Sequence, residues 1–392
     1  MVEPDGRVDH RRAEAVTSPV TSSAISEEGP GELRARVVAL YLPQFHPIPE
    51  NDEWWGTGFT EWVNVAKARP LFRGHQQPRL PGRLGFYDLR LADTRAEQAD
   101  LARQHGVEAF CYWHYWFNGH QLLNRPFDEV LRSGEPSLPF CLAWANEPWT
   151  RTWLGVGEAL VEQTYSPLDD AAHARWLVEA WGDPRWLRVD GRPVFVVYCP
   201  HELPDARRTV DTLRSEASRA GLPDPMLLGM NAKSKWVDSR TLGFDGTVDF
   251  RPQLSDLPFY DVARPTKGKA RRNFRLGIRD PRLRIYGADE ALQLMDRRRS
   301  KVAHPIVPCV FAGWDNTPRR GRNATVVVGY TPDRFAASLE SAVELVADRP
   351  PAERLVFVNA WNEWAEGNVL EPDTSEGLAR LEAVRSVVAA RE

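Results

Sequence analysis

Two glutamates, Glu363 and Glu366, stand three residues apart in the segment 359–367, which reads Asn-Ala-Trp-Asn-Glu-Trp-Ala-Glu-Gly. This segment follows an apolar run, 355–358, that predicts a buried strand. Paired carboxyl groups among aromatic rings are typical of glycosidic-bond chemistry, because one group transfers a proton while the other manages the opposite charge. We therefore predict that both glutamates are catalytic. A polar helix cap beside two core tryptophans is the structural alternative, but it does not explain why Trp and Asn surround both acids.

Aromatic and polar side chains also gather at the ends of four other predicted strands. The candidate substrate-binding residues are Tyr41, Trp54, Glu61, Trp62, Trp113, His114, Tyr115, Trp144, Asn146, Glu147, Trp149, Trp314, Asp315, Asn316, Asn362 and Trp364. Most of the chain's fifteen tryptophans lie in these strand-end segments. Tryptophans placed only for packing would be spread over helices and strand interiors. The clustering therefore predicts a cleft whose aromatic faces stack on sugar rings.

Eight apolar runs predict the strands that must position these residues. They are 36–42, 107–113, 139–144, 193–199, 226–230, 246–250, 305–311 and 355–359. Most are continuous rather than alternating, as expected for parallel strands covered on both faces. Helical patterns fill most gaps, at 94–105, 170–181, 205–220, 288–299, 332–348 and 377–391. This order predicts an α/β fold, a (β/α)8 TIM barrel with long βα loops at its C-terminal face. A doubly wound sheet is the alternative, but no Gly-rich phosphate loop follows the first strand.

The two ends of the chain differ in composition. Residues 1–33 are rich in Glu, Ser, Pro and Gly, which predicts a disordered N-terminal tail, and residues 34–392 are predicted to form one barrel domain.

Two long insertions follow predicted strands, at 44–90 and 252–287. The second insertion carries Lys267, Lys269, Arg271, Arg272, Arg275 and Arg279. A solvated loop is the plain interpretation, and a site for an anionic group such as a sugar phosphate is the alternative.

Composition argues against several classes of function. The net charge of −4 gives no general attraction to nucleic acid. The histidines lack short metal-ligand spacing and the four cysteines form no CxxC pair, so we predict no metal site and no cofactor. No uncharged apolar run reaches the roughly 20 residues that span a bilayer. With no secretory signal visible, we expect a cytoplasmic protein whose partner is an oligosaccharide or polysaccharide.

Several motifs resemble a known family. They are Tyr-Leu-Pro-Gln-Phe-His-Pro-Ile-Pro at 41–49, Gly-Phe-Thr-Glu-Trp-Val-Asn at 58–64, Tyr-Trp-His-Tyr-Trp-Phe at 112–117, Trp-Ala-Asn-Glu at 144–147, and Trp-Asn-Glu-Trp-Ala-Glu-Gly at 361–367. Over about residues 36–385 the chain looks like the WbsX-type glycosyltransferases of surface-polysaccharide clusters. The barrel of that family is similar to glycoside hydrolase family 99, the endo-α-mannosidases and mannanases.

The resemblance to family 99 implies roles for both acids. Glu363 would be the base that deprotonates the sugar's own 2-hydroxyl, whose oxygen then attacks the anomeric carbon. Glu366 would be the general acid for the leaving oxygen and afterwards the base for the acceptor. Such a route retains anomeric configuration without a protein nucleophile. Inversion, with Glu147 or Asp315 as a distant partner, is the alternative.

Three classes of function remain open from the sequence. The first is a retaining glycoside hydrolase or transglycosylase that acts on a surface polysaccharide. The second is a sugar-nucleotide-dependent glycosyltransferase of cell-surface or lipopolysaccharide biosynthesis, which rests on the family name, because no Asp-x-Asp motif or Rossmann-type opening is present. The third is a catalytically inactive glycan-binding barrel, which the two intact acids disfavour.

Overall fold

The computed structural model describes residues 33–150, 159–233, 236–257, 275–277 and 282–390. Eight parallel strands form a closed barrel: β1 (Arg36–Tyr41), β2 (Val107–Phe117), β3 (Phe140–Trp144), β4 (Arg192–Val197), β5 (Met226–Met230), β6 (Gly246–Asp249), β7 (Ile306–Phe311) and β8 (Leu355–Asn359). Each strand pairs with the next along the chain, and β8 returns to β1 with Val37 opposite Val356. The predicted (β/α)8 barrel is confirmed.

Ten α-helices lie in the described part of the chain. They are α1 (Pro49–Trp55), α2 (Glu61–Lys67), α3 (Ala92–Gln104), α4 (Arg125–Ser133), α5 (Pro167–Trp181), α6 (Ala206–Arg219), α7 (Ala288–Arg299), α8 (Thr317–Arg320), α9 (Pro332–Glu344) and α10 (Ala379–Val388). The sequence patterns missed α1, α2, α4 and α8, which are short. Between β5 and β6 the connection has only a 3₁₀ turn, Ser239–Leu242.

The strand β2 runs four residues beyond its predicted end and turns back on itself. Its last residues pair antiparallel with His120–Leu122, so that Tyr115 lies opposite Leu122. Asn118 and Gly119 form the two-residue turn with φ of 49° and 84°. Asn-Gly is the pair that tolerates positive φ at both turn positions, and it sets the register of the hairpin. This hairpin carries aromatic side chains past the end of the barrel.

Other short strands complete the loops around the barrel. They are Trp149–Thr150 with Ala159–Val161, Arg188–Val189 beside β4, Arg284–Gly287 with Thr325–Val328, and Asn362–Glu363 with Asn368–Val369. Within the described ranges no helix has both the length and the apolar character needed to cross a lipid bilayer. The tail predicted at 1–33 lies outside the described residues except for its last residue. So does most of the basic insertion, and both predictions stay predictions.

Candidate active site

A cleft with a volume of about 550 Å³ opens where the strands of the barrel end. It brings together eight of the residues predicted from the sequence: Trp113, Tyr115, Glu147, Trp149, Trp314, Asn316, Glu363 and Glu366. These come from β2 and from the segments after β3, β7 and β8, which are far apart in the chain. The C-terminal ends of parallel strands meet at one face of a barrel, and this is where such folds build their sites.

The segment after β8 is held tightly against the top of β1. The backbone N–H of Trp361 donates to the carbonyl of Leu40 at 2.7 Å. The side chain of Asn362 accepts from the N–H of Leu42 at 2.7 Å and donates to its carbonyl at 3.0 Å. A 3₁₀ turn, Trp364–Glu366, then places Glu363 and Glu366 at its two ends. The spacing of three residues therefore brings both carboxyl groups to the cleft.

A buried arginine, Arg319 on α8, joins these two acids to a third carboxylate. Its Nη2 donates to Glu363 Oε2 at 2.7 Å, and its Nη1 donates to Glu366 Oε1 at 2.8 Å. Its Nε donates to Glu61 Oε1 at 2.7 Å, and Nη2 contacts the same carboxylate. The other oxygen of Glu363 and of Glu366 has no hydrogen-bond partner among the described residues. We call these four residues the carboxylate cluster.

Burial and charge act in opposite directions on the carboxylate cluster. Burial is the main cause that raises the pKa of Glu363 to about 8, and the like charges of Glu366 and Glu61 raise it further. Arg319 lowers this pKa but offsets only part of the increase. Burial also raises the pKa of Glu366, against the lowering effect of Arg319. The three carboxylates hold the pKa of Arg319 well above its usual value although burial lowers it. Both shifts favour the protonated form of the buried pair.

Aromatic rings form the walls of the cleft. Trp113 meets Tyr198 edge-on with ring centroids 5.3 Å apart. Trp149 meets Tyr115 edge-on at 5.1 Å, and Trp54 supports Trp149 with a centroid distance of 5.8 Å without lining the cleft itself. Edge-to-face packing holds these rings against one another.

Glu147 stands apart from the carboxylate cluster in the same cleft. Its side chain is 37% exposed and accepts an ion pair from Lys233 Nζ at 2.7 Å. Lys233 is also paired with Glu202 at 3.1 Å. Burial lowers the pKa of Lys233, but the two carboxylates outweigh this effect and raise it above its usual value. The sequence patterns did not single out Lys233, because the segment after β5 was not among the strand ends chosen from the sequence.

Four of the predicted substrate-binding residues lie beneath the cleft rather than in it. Trp364 contacts a buried carboxyl group, Glu371. Tyr41, Asn362 and Trp62 contact the neighbours of that group, which are Gln98, Tyr87 and Trp364. Glu371 accepts hydrogen bonds from Trp364 Nε1 at 2.7 Å, Tyr87 Oη at 2.9 Å and Gln98 Nε2 at 2.6 Å. Tyr41 Oη donates to Gln98 Oε1 at 2.7 Å. We call Glu371 and the residues that surround it the Glu371 network: Tyr41, Trp62, Tyr87, Gln98, Asn362 and Trp364.

His114 and Trp144 point away from the cleft. Side chains alternate along β2, so Trp113 and Tyr115 face the cleft while His114 faces α5. There its Nε2 lies 3.0 Å from Nε2 of His173, and burial lowers the pKa of His114 to about 3. Trp144 donates to the carbonyl of Trp116 at 3.2 Å. The continuous aromatic run gave no sign of which residues face inward.

Two further predicted residues join neighbouring loops. Asn146 accepts from the backbone N–H of Cys199 at 2.7 Å and donates to its carbonyl at 2.9 Å. Asp315 accepts from His75 Nε2 at 2.7 Å and Gln77 Nε2 at 2.6 Å, outside the cleft. Burial tends to raise the pKa of Asp315, but these donors lower it below its usual value.

Arg319 and Glu61 are the residues whose partnership the sequence did not reveal. Arg319 closes the strand-end segment after β7, and Glu61 begins α2, so a strand-end criterion that counted cations would have included the arginine. Among the described residues, one group has metal-ligand spacing: Cys199, His201 and Glu202 place ligand atoms within 4.8 Å of one another. Burial raises the pKa of the Cys199 thiol and Glu202 is paired with Lys233, so both are poor ligands there.

One family model and two curated relatives match most of this chain. The model of the family described as "Glycosyltransferase WbsX" matches residues 37–384. The WxcX proteins of two Xanthomonas campestris pv. campestris strains, B100 and ATCC 33913, are 41% identical over 391 residues and 40% identical over 399 residues. Each alignment covers 98% of this chain and 54% of the relative, so the chain spans about half the length of the curated relatives it matches.

Solved structures share the fold at low sequence identity. One is the GH99 endo-alpha-mannosidase from Bacteroides thetaiotaomicron in complex with Bis-Tris propane, with a TM-score of 0.52 and 15% identity over 90% of this chain and 95% of that chain. Another is a glycoside hydrolase-like protein, with a TM-score of 0.57 and 13% identity over 91% and 94%. At these identities the likeness shows the barrel fold alone.

Proposed function

The chain belongs to the glycosyltransferase WbsX family, a family of carbohydrate-active enzymes, and we propose that it cleaves or transfers glycosyl units with Glu363 and Glu366 as its acid–base pair. One observation carries this proposal. Arg319 fixes one oxygen of each carboxyl group, and the second oxygen of each has no partner among the described residues in a cleft walled by aromatic rings. Two acids prepared in this way are suited to act on opposite ends of one bond.

The proposed reaction proceeds in two steps. Glu363 takes the proton of the sugar's 2-hydroxyl, and that oxygen attacks the anomeric carbon. The glycosidic C–O bond breaks, and the leaving oxygen takes its proton from Glu366. In the second step Glu366 removes a proton from water or an acceptor hydroxyl, whose oxygen attacks the anomeric carbon. The bond between that carbon and the 2-oxygen breaks, and the 2-oxygen recovers its proton from Glu363. Two displacements at one carbon retain its configuration.

The geometry of the pair favours retention over inversion. Glu363 and Glu366 bind neighbouring Nη atoms of one guanidinium, at 2.7 and 2.8 Å, so their carboxyl groups lie close together. Inverting enzymes separate their carboxyl groups by ~6.5–9.5 Å to leave room for water, whereas retaining enzymes place them ~5–5.5 Å apart. Glu147 lines the same cleft and remains the alternative distant partner. Asp315 is a weaker alternative, since its carboxylate is held outside the cleft.

A sugar-nucleotide-dependent glycosyltransferase is the second candidate, and the family description favours it. Nucleoside diphosphates need cations that are available to the phosphate groups. Among the described residues of the cleft, Lys233 and Arg319 are already bound by carboxylates, which leaves Arg320 as the cation with no ion pair there. Within the described part of the cleft, this charge balance favours a donor without phosphate groups.

The deciding experiment offers the protein two panels, α-linked oligosaccharides and sugar nucleotides, and identifies products by mass spectrometry. Proton NMR of the first-formed product then reports its anomeric configuration. We expect a retained product from an oligosaccharide and loss of activity with a 2-deoxy analogue. An inverted product would refute the mechanism. Full activity on the 2-deoxy analogue would instead make one glutamate a direct nucleophile, and product from sugar nucleotides alone would establish the second candidate.

We also propose that the substrate is a cell-surface polysaccharide or one of its precursors and that the chain acts in the cytoplasm. The support is the family description and the resemblance of the motifs to proteins of polysaccharide clusters. Cell fractionation tests the location. Recovery of the protein outside the cytoplasmic fraction would reject it.

A further inference from the structure

The third carboxylate of the cluster has no role in the two-step reaction. Glu61 is 1% exposed and does not line the cleft, so it is shielded from a bound sugar. Its carboxylate takes the Nε side of Arg319 and accepts from Asn64 Nδ2 at 3.3 Å. Its backbone N–H donates to the carbonyl of Gln44 at 3.0 Å, which ties the start of α2 to the segment after β1. Glu61 therefore presents a fixed negative charge behind the arginine.

The guanidinium of Arg319 contacts all three carboxylates of the cluster. Nε and Nη2 contact Glu61, Nη2 also donates to Glu363, and Nη1 donates to Glu366. The planar fork of arginine holds such directions rigidly, because its five N–H groups lie in one plane. A hydrogen bond to one oxygen restricts the rotation of a carboxyl group and so limits the directions open to its second oxygen.

Charge in the cluster is unbalanced. Three carboxylates face one guanidinium, so full ionisation would leave two excess negative charges in a buried site. Such an arrangement keeps a proton on the acids. Among the described residues, the other titratable or charged groups that face the cluster or line the cleft are Arg320 from α8, Tyr115 from β2, Glu147 after β3, Tyr198 after β4 and Lys233 after β5.

We propose that Glu61 and Arg319 form a positioning pair, in which Glu61 anchors the guanidinium and the guanidinium sets the direction and the ionisation of both catalytic carboxyl groups. The proposal rests on the acid–base role proposed for Glu363 and Glu366. Neither member of the pair moves a proton. The two members act with opposite sign: Arg319 favours ionised carboxylates and Glu61 opposes them.

Because Arg319 and Glu61 have opposite effects on the two glutamates, replacing them should shift the titrations in opposite directions. A merely structural role would not produce such shifts. Replacing Arg319 by Met removes the cation, so both glutamates should titrate about 1–3 pH units higher, the usual effect of one close opposite charge. Replacing Glu61 by Gln removes a neighbouring anion and should move both titrations lower. Arg319→Lys keeps the charge but loses the fork. In Arg319→Lys, Glu363 and Glu366 should titrate near their wild-type pH while turnover falls.

The primary readout does not depend on a known substrate. Carboxyl ¹³C NMR of glutamate-labelled protein follows the titration of Glu363 and Glu366, whose signals are assigned by their loss in Glu363→Gln and Glu366→Gln. Circular dichroism and thermal melting show which variants fold. If Arg319→Met does not fold, Glu61→Gln and Arg319→Lys decide the matter. Equal titrations in wild type and Glu61→Gln, or upward shifts in Glu61→Gln, would overturn the positioning pair.

The pH dependence of turnover provides the second readout once a substrate is found. Both limbs of the bell-shaped profile should move with the NMR titrations, because the base must be ionised and the acid protonated. Shifted titrations in a protein inactive on every glycan would reject the acid–base function and keep the electrostatic pair. An active enzyme whose titrations and profile ignore both substitutions would keep the function and reject the pair.

Discussion

The buried acids of the carboxylate cluster and of the Glu371 network differ in their hydrogen-bond partners. In the cluster, a cation binds Glu363 and Glu366 through one oxygen each and leaves the second oxygen of each without a described partner. In the network, three neutral donors occupy both oxygens of Glu371, which is 2% exposed. Burial raises the pKa of Glu371 to about 7 although these donors lower it. The acids of the cluster therefore each keep an oxygen that could meet a substrate, as the proposed function requires, whereas both oxygens of Glu371 are occupied.

Both regions come from the same short segment after β8. Trp364 lies between the two catalytic candidates in sequence, but its indole N–H donates to Glu371 on the opposite side of the turn. The turn therefore carries reactive groups on one side and its own support on the other. If this division is correct, substitutions on the two sides should separate activity from stability.

The largest effect is expected from the catalytic side. Glu363→Gln and Glu366→Gln should each lower turnover at least ~100-fold, because general acid–base groups typically contribute 10²–10⁴-fold. The amide keeps the shape of the side chain, so the fold should survive. Steady-state kinetics and thermal melting measure the two effects. Near-wild-type turnover with unchanged melting in either variant would remove that glutamate from the mechanism.

The next effect concerns stability. Glu371→Ala leaves the donors of Tyr87, Gln98 and Trp364 without their acceptor, and each buried unsatisfied group costs ~1–3 kcal/mol. The free energy of unfolding, measured by urea titration, should fall by roughly 3 kcal/mol or more. Glu371→Gln is the matched control and should lose less, since one amide oxygen still accepts. Full stability in the alanine variant would show that the network does not support the site.

A smaller effect is expected in the pH dependence of stability. The pKa of Glu371 is about 7 in the folded chain against 4.5 when unfolded, so the folded state holds the proton more tightly. Its contribution is therefore complete below the unfolded pKa and is lost as pH rises through about 7. Relative to Glu371→Gln, the wild type should lose about 3 kcal/mol between pH 4.5 and pH 7.5. A constant difference between the two proteins across this range would contradict the buried titration.

The smallest effect should come from the acid that belongs to neither region. Glu147 is more than one-third exposed and its partner Lys233 has a second carboxylate, Glu202. Partly exposed ion pairs contribute ~0–1 kcal/mol, so Glu147→Gln should barely change the melting temperature. Turnover should fall less than ~10-fold. A loss as large as that of Glu363→Gln would make Glu147 the distant carboxylate of an inverting mechanism.

The fold was predictable because its signal is local and repeated. Eight apolar runs mark the eight barrel strands, since parallel strands covered on both faces are mostly apolar. The short helices were missed because one or two turns carry too little periodicity to stand out. The β2 hairpin was also missed, although its Asn118-Gly119 turn is a recognisable signal within an aromatic run.

The candidate site was predictable only as a set of strand ends. Trp113 and Tyr115 line the cleft, whereas His114 between them packs against α5, and the sequence alone gives both kinds of residue the same context. Facing depends on the tilt and register of the strand in the closed barrel. These are settled by pairing with neighbouring strands, which come from distant parts of the chain.

By itself the amino-acid sequence determined the barrel, its open face and the two glutamates that reach it, because strand pattern and strand ends are local properties. Only the tertiary structure decided that Arg319 from α8 and Glu61 from α2 complete the carboxylate cluster, while Tyr41, Asn362 and Trp364 support it from beneath. Arg319 and Glu61 are separated by 258 positions in the chain. Their charges influence each other only because the closed barrel buries them together, where water no longer screens them.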